Sequence, residues 1–169
     1  MIVDPVHEKW ASAFFNGDFF LVEAKSGYRS CVSDAERYQC QMAAGATDEE
    51  LGQAVVEALT QSRFVTPENS EEFDRLFDPA RIAASYAAWV ASLLEKYQYK
   101  NKNSLFKKML LCNVSMVADE IKISPTIHKK LELWGREKGD GIQDSFVAID
   151  SPVEKIGQTL RAAFSRCEQ

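Results

Sequence analysis

Apolar and polar positions along this chain follow two rhythms, and the two come in the same order twice. Residues 18–24, DFFLVEA, form an apolar run of strand length; Gly27 marks a turn and residues 28–32 a return. In residues 37–42, Tyr38, Cys40 and Met42 take one parity and Arg37, Gln39 and Gln41 the other, the period expected of a strand with one wet face. Upstream, Trp10, Phe14 and Phe15 are spaced as one short helical face within residues 4–15. After Gly45 the rhythm lengthens. Leu51, Val55, Ala58 and Leu59 recur at helical spacing, predicting a helix from Thr47 to about Gln61. Thr47 stands three residues before Glu50, the spacing of a capping box, in which the hydroxyl accepts from the third backbone N–H and the glutamate reaches back.

The second half repeats this plan. LLCNVSMV reads as a strand, Ala118, Asp119 and Glu120 as a turn, and residues 121–124 as the return of a hairpin. Residues 126–134 fit two templates: Ile127, Leu131 and Leu133 alternate with His128, Lys130 and Glu132, so a strand competes with a short helix. REKGDGI at 136–142 is a polar glycine loop, and residues 146–149 form a last strand. It runs into SPVEKIGQTLRAAFSRC, 151–167, which parallels TDEELGQAVVEALTQSR, 47–63. Ser151 precedes Glu154 as Thr47 precedes Glu50, a branched apolar residue precedes Gly-Gln in both, and both close on Ser-Arg. Gly52 and Gly157 fall inside helices, where glycine costs about 1 kcal/mol against alanine; close approach of each helix to the sheet is the expected compensation.

Between the repeats lies a helical insertion. Ser70 caps a short acidic helix, and Asp78-Pro79 is an N-cap followed by proline at the first helical position. The helix that follows carries one stripe of Ile82, Tyr86, Trp89, Val90, Leu93 and Tyr97 among alanines 80, 83, 84, 87, 88 and 91, which predicts a central core helix. The whole reads as one α+β domain over residues 1–169. Its first β-meander-plus-helix unit spans about 18–63, the insertion about 68–99 and the second unit about 104–167, around a mostly antiparallel sheet packed by helices.

Composition narrows the function. The 169 residues are 46% hydrophobic and 27% charged, ordinary values for a folded domain. A formal charge of −5 argues against a general nucleic-acid binder and suits a basic protein partner. Cys31, Cys40, Cys112 and Cys167 show no metal-ligand rhythm, and MIVDPVHEKW lacks the basic end and apolar run of a secretory leader, so free thiols in the cytoplasm are expected. No apolar run has the length of a membrane span. His7 and His128 are the only histidines; His128 with Glu132 makes two ligands, which is not a site. No phosphate-cradling glycine loop or nucleophile elbow occurs, so neither cofactor nor metal is expected.

Two charged stretches remain. Residues 96–108, KYQYKNKNSLFKK, interleave five lysines with Tyr97, Tyr99 and Phe106, the pattern by which lysines neutralise phosphates while aromatics stack on bases; the competing reading is a polar turn with its aromatics folded inward. Opposite in sign are Glu68, Glu71, Glu72, Asp74 and Asp78. They read either as a solvated face or as a docking surface for a basic partner.

Four ordered segments carry a family resemblance: LGQAVVEALTQSR at 51–63, SLFKKMLLCNV at 104–114, ISPTIHKKLELWG at 123–135 and SPVEKIGQTLRAAFSRC at 151–167. Together they resemble the immunity proteins of bacterial contact-dependent growth inhibition, the CdiI family. The resemblance implies a non-catalytic cytoplasmic protein that binds one cognate toxin C-terminal domain, often a nuclease, in a 1:1 complex and blocks it. The two-unit plan is also similar to the Whirly fold, a likeness that does not by itself transfer nucleic-acid binding. The acidic residues 68–78 are the first candidate toxin-facing surface, and Asp140 with Asp144 in the glycine loop the second. The alternative is an RNA- or single-strand-binding regulator using residues 96–108.

Overall fold

A computed structural model of the chain describes residues 3–169. In chain order the strands are β1 (Glu8–Phe15), β2 (Phe19–Gly27), β3 (Cys31–Ser33), β4 (Gln39–Ala43), β5 (Leu110–Val117), β6 (Glu120–Pro125), β7 (Ile127–Lys130), β8 (Leu133–Gly135) and β9 (Ser145–Ala148). The helices are α1 (Asp48–Gln61), α2 (Ser70–Leu76), α3 (Pro79–Lys96), α4 (Lys102–Phe106) and α5 (Val153–Phe164). Seven strands make one antiparallel sheet in the order β3-β2-β1-β5-β6-β9, with β4 sharing the outer edge of β2; β7 and β8 form a separate hairpin. The fold is thus α+β with a mostly antiparallel sheet, as the rhythms predict.

Strand β1 replaces the expected short helix at the N-terminus. It sits mid-sheet, pairing β2 on one side and β5 on the other, with Ala13 opposite Cys112. Its small residues Ala11 and Ala13 pack in one core and Phe14 in the other. A strand buried on both faces has no wet parity, so its apolar spacing imitates a helix.

Helices α1 and α5 cover one face over Phe20, Val22, Val114, Ile121 and Ile123. Thr47 closes its capping box with Glu50 as read, accepting from Glu50 N at 3.1 Å while Glu50 Oε2 accepts from Thr47 N at 2.9 Å. The matching box at Ser151 does not form. Pro152 is the N-cap of α5, φ −52° and ψ 140°, and starts the helix one residue late, so its third N–H belongs to Lys155. The two glycines serve helix–helix contact rather than helix–sheet contact. A Cβ on Gly52 would stand 1.8 Å from the Val153 carbonyl oxygen, and one on Gly157 1.8 Å from that of Asp48. Each helix thus rests its first turn on the other's glycine.

On the opposite face α3 and α4 bring Val90, Leu93, Leu105, Phe106 and Met109 onto Phe14, Phe19 and Leu21. α3 begins as read, with Asp78 accepting from Ala80 N and Pro79 in the first turn. It is not the central core helix. Only Val90 and Leu93 are buried, Ile82 and Tyr86 are 37% and 40% exposed, and all six alanines face solvent. High alanine content satisfies helix propensity as readily as close packing. At α2 the cap falls on Asn69 rather than Ser70. Residues 126–134 resolve as strand: β7 and β8 pair with a bulge between His128 and Lys130.

Candidate binding cavity beneath the helical insertion

The first half of α3 stands away from the sheet and leaves a cavity of about 270 Å³. Its floor follows from the parity of β2. Phe19, Leu21 and Glu23 point to the same face, and the first two lie under the buried end of α3, whereas Glu23 lines the open space. Phe14, Val32, Leu76, Ile82 and Trp89 supply apolar walls. Glu23 is buried and accepts hydrogen bonds from Ser33 Oγ at 2.7 Å and Gln39 Nε2 at 3.3 Å. Burial pushes its pKa up, and the opposing influence of Ser33, Lys25 and Gln39 is too small to cancel it. Trp89 lines the wall, and its Nε1 is a fully buried donor without an acceptor.

Ion pairs hold the insertion over this space. Arg63, just past α1, donates from Nε and Nη2 to both oxygens of Asp34 at 2.8 and 3.0 Å, and from Nη1 to Glu72 on α2 at 2.8 Å. Asp34 also accepts from Ser26 Oγ at 2.5 Å. Burial raises the pKa of Asp34, but Arg63 and Ser26 outweigh it and hold the carboxyl below its ordinary value. Glu36 takes Arg75 of α2 and Arg81 of α3, the latter at 3.0 Å. Farther along α3, Tyr86 donates to Glu132 at 2.6 Å.

The acidic residues singled out in the sequence divide by role. Glu68, Glu71 and Asp74 are exposed, while Glu72 binds Arg63 and Asp78 caps α3. Asp140 and Asp144 lie away from them, in the loop that feeds the far edge strand β9, and both bind Arg136 at 2.8 Å. Asp140 also accepts from the backbone N–H of Glu137 and Ile142, both at 2.9 Å, and Arg136 with these donors holds its carboxyl well below the usual range. Gly139 and Gly141, at φ 76° and 74°, make this loop possible. In residues 96–108 the aromatics turn inward: Phe106 is fully buried, Tyr97 stacks on Phe19 at 4.1 Å, and Tyr99 donates to Asp18. Lys100, Lys102, Lys107 and Lys108 remain exposed.

Glu23 and Arg63 carry no site signature in the sequence, and Trp89 reads there only as part of the α3 stripe. A lone glutamate on the inner parity of an apolar strand was the available signal for Glu23; Arg63 had none beyond its place in the repeat. No cluster of three or more His, Cys, Asp and Glu suited to a metal ion occurs among the described residues, and no helix among them is long and apolar enough to cross a membrane.

Fold and cavity together are those of a binding scaffold: a sheet with two interlocked helices on one face and, on the other, a cavity beneath the ion-paired α2–α3 insertion. The CDI immunity protein family, CdiI, matches residues 9–167, and the chain belongs to that family. It is 39% identical over 174 residues to the immunity protein CdiI-YPIII of Yersinia pseudotuberculosis serotype O:3, covering 98% of both chains. A solved structure described as a CdiA-CT/CdiI toxin and immunity complex from Yersinia pseudotuberculosis contains a chain with TM-score 0.86 and 37% identity, covering 96% of this chain and 99% of that one. A protein of unknown function from Neisseria meningitidis superposes with TM-score 0.89 at 30% identity, over 99% and 100% of the two chains.

Proposed function

We propose that this chain is the immunity half of a toxin–immunity pair. It binds the C-terminal domain of one cognate contact-dependent growth inhibition toxin, a nuclease, in a 1:1 complex in the cytoplasm. It blocks the toxin's active site and carries out no catalysis itself. The observation that carries the reading is the match, along nearly its full length, to a chain of a toxin and immunity complex. The toxin-facing surface is the mouth of the α2–α3 cavity together with the exposed carboxylates of Glu68, Glu71 and Asp74 beside it. Complementary charge there would speed encounter with a basic toxin surface and exclude non-cognate ones. Asp140 and Asp144 form a second, smaller candidate patch, with Asp144 the more accessible of the two.

The test is co-expression with the C-terminal region encoded by an adjacent large secreted toxin gene, followed by co-purification and growth rescue. Protection with a 1:1 complex is expected. Recovery of free toxin, or growth arrest despite expression of this chain, would sink the proposal. Within it, charge reversal of Glu71 and Asp74 should slow association by about tenfold or more at low salt. An unchanged on-rate would move the interface elsewhere.

A further inference from the structure

The charges lining the cavity are matched except for one. Asp34, Glu36 and Glu72 each lie within ion-pair distance of Arg63 or Arg81. Glu23 has no ion-pair partner among the described residues, and the two side chains bonded to it, Ser33 and Gln39, are neutral donors. Glu23 lines the cavity and is 6% exposed as a residue. A buried carboxylate without an ion-pair partner is costly in the free protein. The indole N–H of Trp89 is unpaired too, but it has no accessible surface and is out of reach from the cavity. What Glu23 lacks is a cation.

An arginine side chain supplies one, on an aliphatic stem. Each oxygen of Glu23 already accepts one hydrogen bond and keeps a further acceptor site, which suits the two-pronged guanidinium better than a point-like ammonium. Phe14, Ile82 and the Trp89 ring offer apolar surface to the stem. At about 270 Å³ the space lies at the small end of ligand-pocket sizes and has room for one extended side chain.

We propose that the cavity receives a single arginine side chain of the protein partner, its guanidinium on Glu23 and its stem along Ile82 and Trp89. This rests on the reading of the chain as a toxin-binding protein. The probe is N-acetyl-argininamide, titrated into the intact protein and followed by the indole N–H resonance of Trp89. N-acetyl-citrullinamide serves as the uncharged control of the same shape. The arginine amide should shift the resonance saturably and the citrulline amide should not. Glu23→Gln should weaken the arginine amide by about tenfold or more without lowering the melting temperature, which a purely structural Glu23 would not allow. Equal binding of the two amides, no saturable shift, or unchanged binding by Glu23→Gln overturns the assignment; the comparison of amides on the unmutated chain decides it even if the variant folds poorly. Because the probes need no toxin, binding of the arginine amide by a chain that captures no toxin would remove the immunity reading alone. Toxin capture without the amide effect would remove the arginine alone.

Discussion

Arg63 joins three parts of the molecule around the cavity. It ties the end of α1 to the β3–β4 connection through Asp34, whose side chain is 2% exposed, and reaches α2 through Glu72. Arg63→Ala strands a buried carboxylate, which should cost about 2–4 kcal/mol, read as a lower midpoint in chemical denaturation. The pH dependence follows from the lowered pKa of Asp34. Its contribution is fully present above the unfolded value near 3.8 and is lost as pH falls through the lower folded value. Arg63→Ala should therefore unfold at a higher pH on acid titration than the unmodified chain. Glu23 has the opposite sign. Its raised pKa means that ionisation above about 4.5 works against folding, so any stability gained by Glu23→Gln should shrink as pH is lowered to that value. These roles were hard to read from the chain because partners such as Arg63 and Asp34 are 29 residues apart and meet only after folding.

At the scale of elements, the glycine crossing gives the sharpest expectation. Gly157→Ala must push α5 off the Asp48 carbonyl, since 1.8 Å admits no methyl group and the obstacle is backbone. A loss of about 3 kcal/mol is expected, with Gly52→Ala similar, against a small gain if the site were open. By contrast α2 and the first half of α3 bury few apolar side chains and hang on surface ion pairs. Hydrogen exchange should find their amides opening well before those of α1 and α5, and sooner still at high salt. Elements with one wet face or a paired cap were legible from their own residues: β4, α1 with Thr47 and Glu50, and α3 from Asp78-Pro79. β1 was not, because burial on both faces erases the alternation that marks a strand. Nor was the placing of α3, because an alanine-rich helix reads alike whether its small side chains meet protein or water.

Seen whole, the molecule is two strand-and-helix halves joined along the β1–β5 pairing and the α1–α5 crossing, with the insertion laid over the other face. The four segments quoted for the family lie mainly in that framework: α1, β5, the β7–β8 hairpin and α5. The cavity instead combines Glu23 of β2 and residues 32–36 of the first half with a rim from α2 and α3, the insertion between the halves. That separation explains why the family could be read from the chain while the candidate site could not. Framework residues must satisfy local rhythm and capping wherever they occur, whereas a binding surface is assembled from β2, residues 32–36, Arg63, α2 and α3 by the fold itself.

The reciprocal rest of each helix on the other's glycine is self-complementary, since either half presents the notch that the other fills. A covalent link between the halves is then a convenience rather than a structural need. A chain severed in the turn around Gln98, where φ is 57°, should survive as two polypeptides. Residues 1–100 and 101–169, expressed together, should copurify as one folded complex. The same pair carrying Gly157→Ala should come apart.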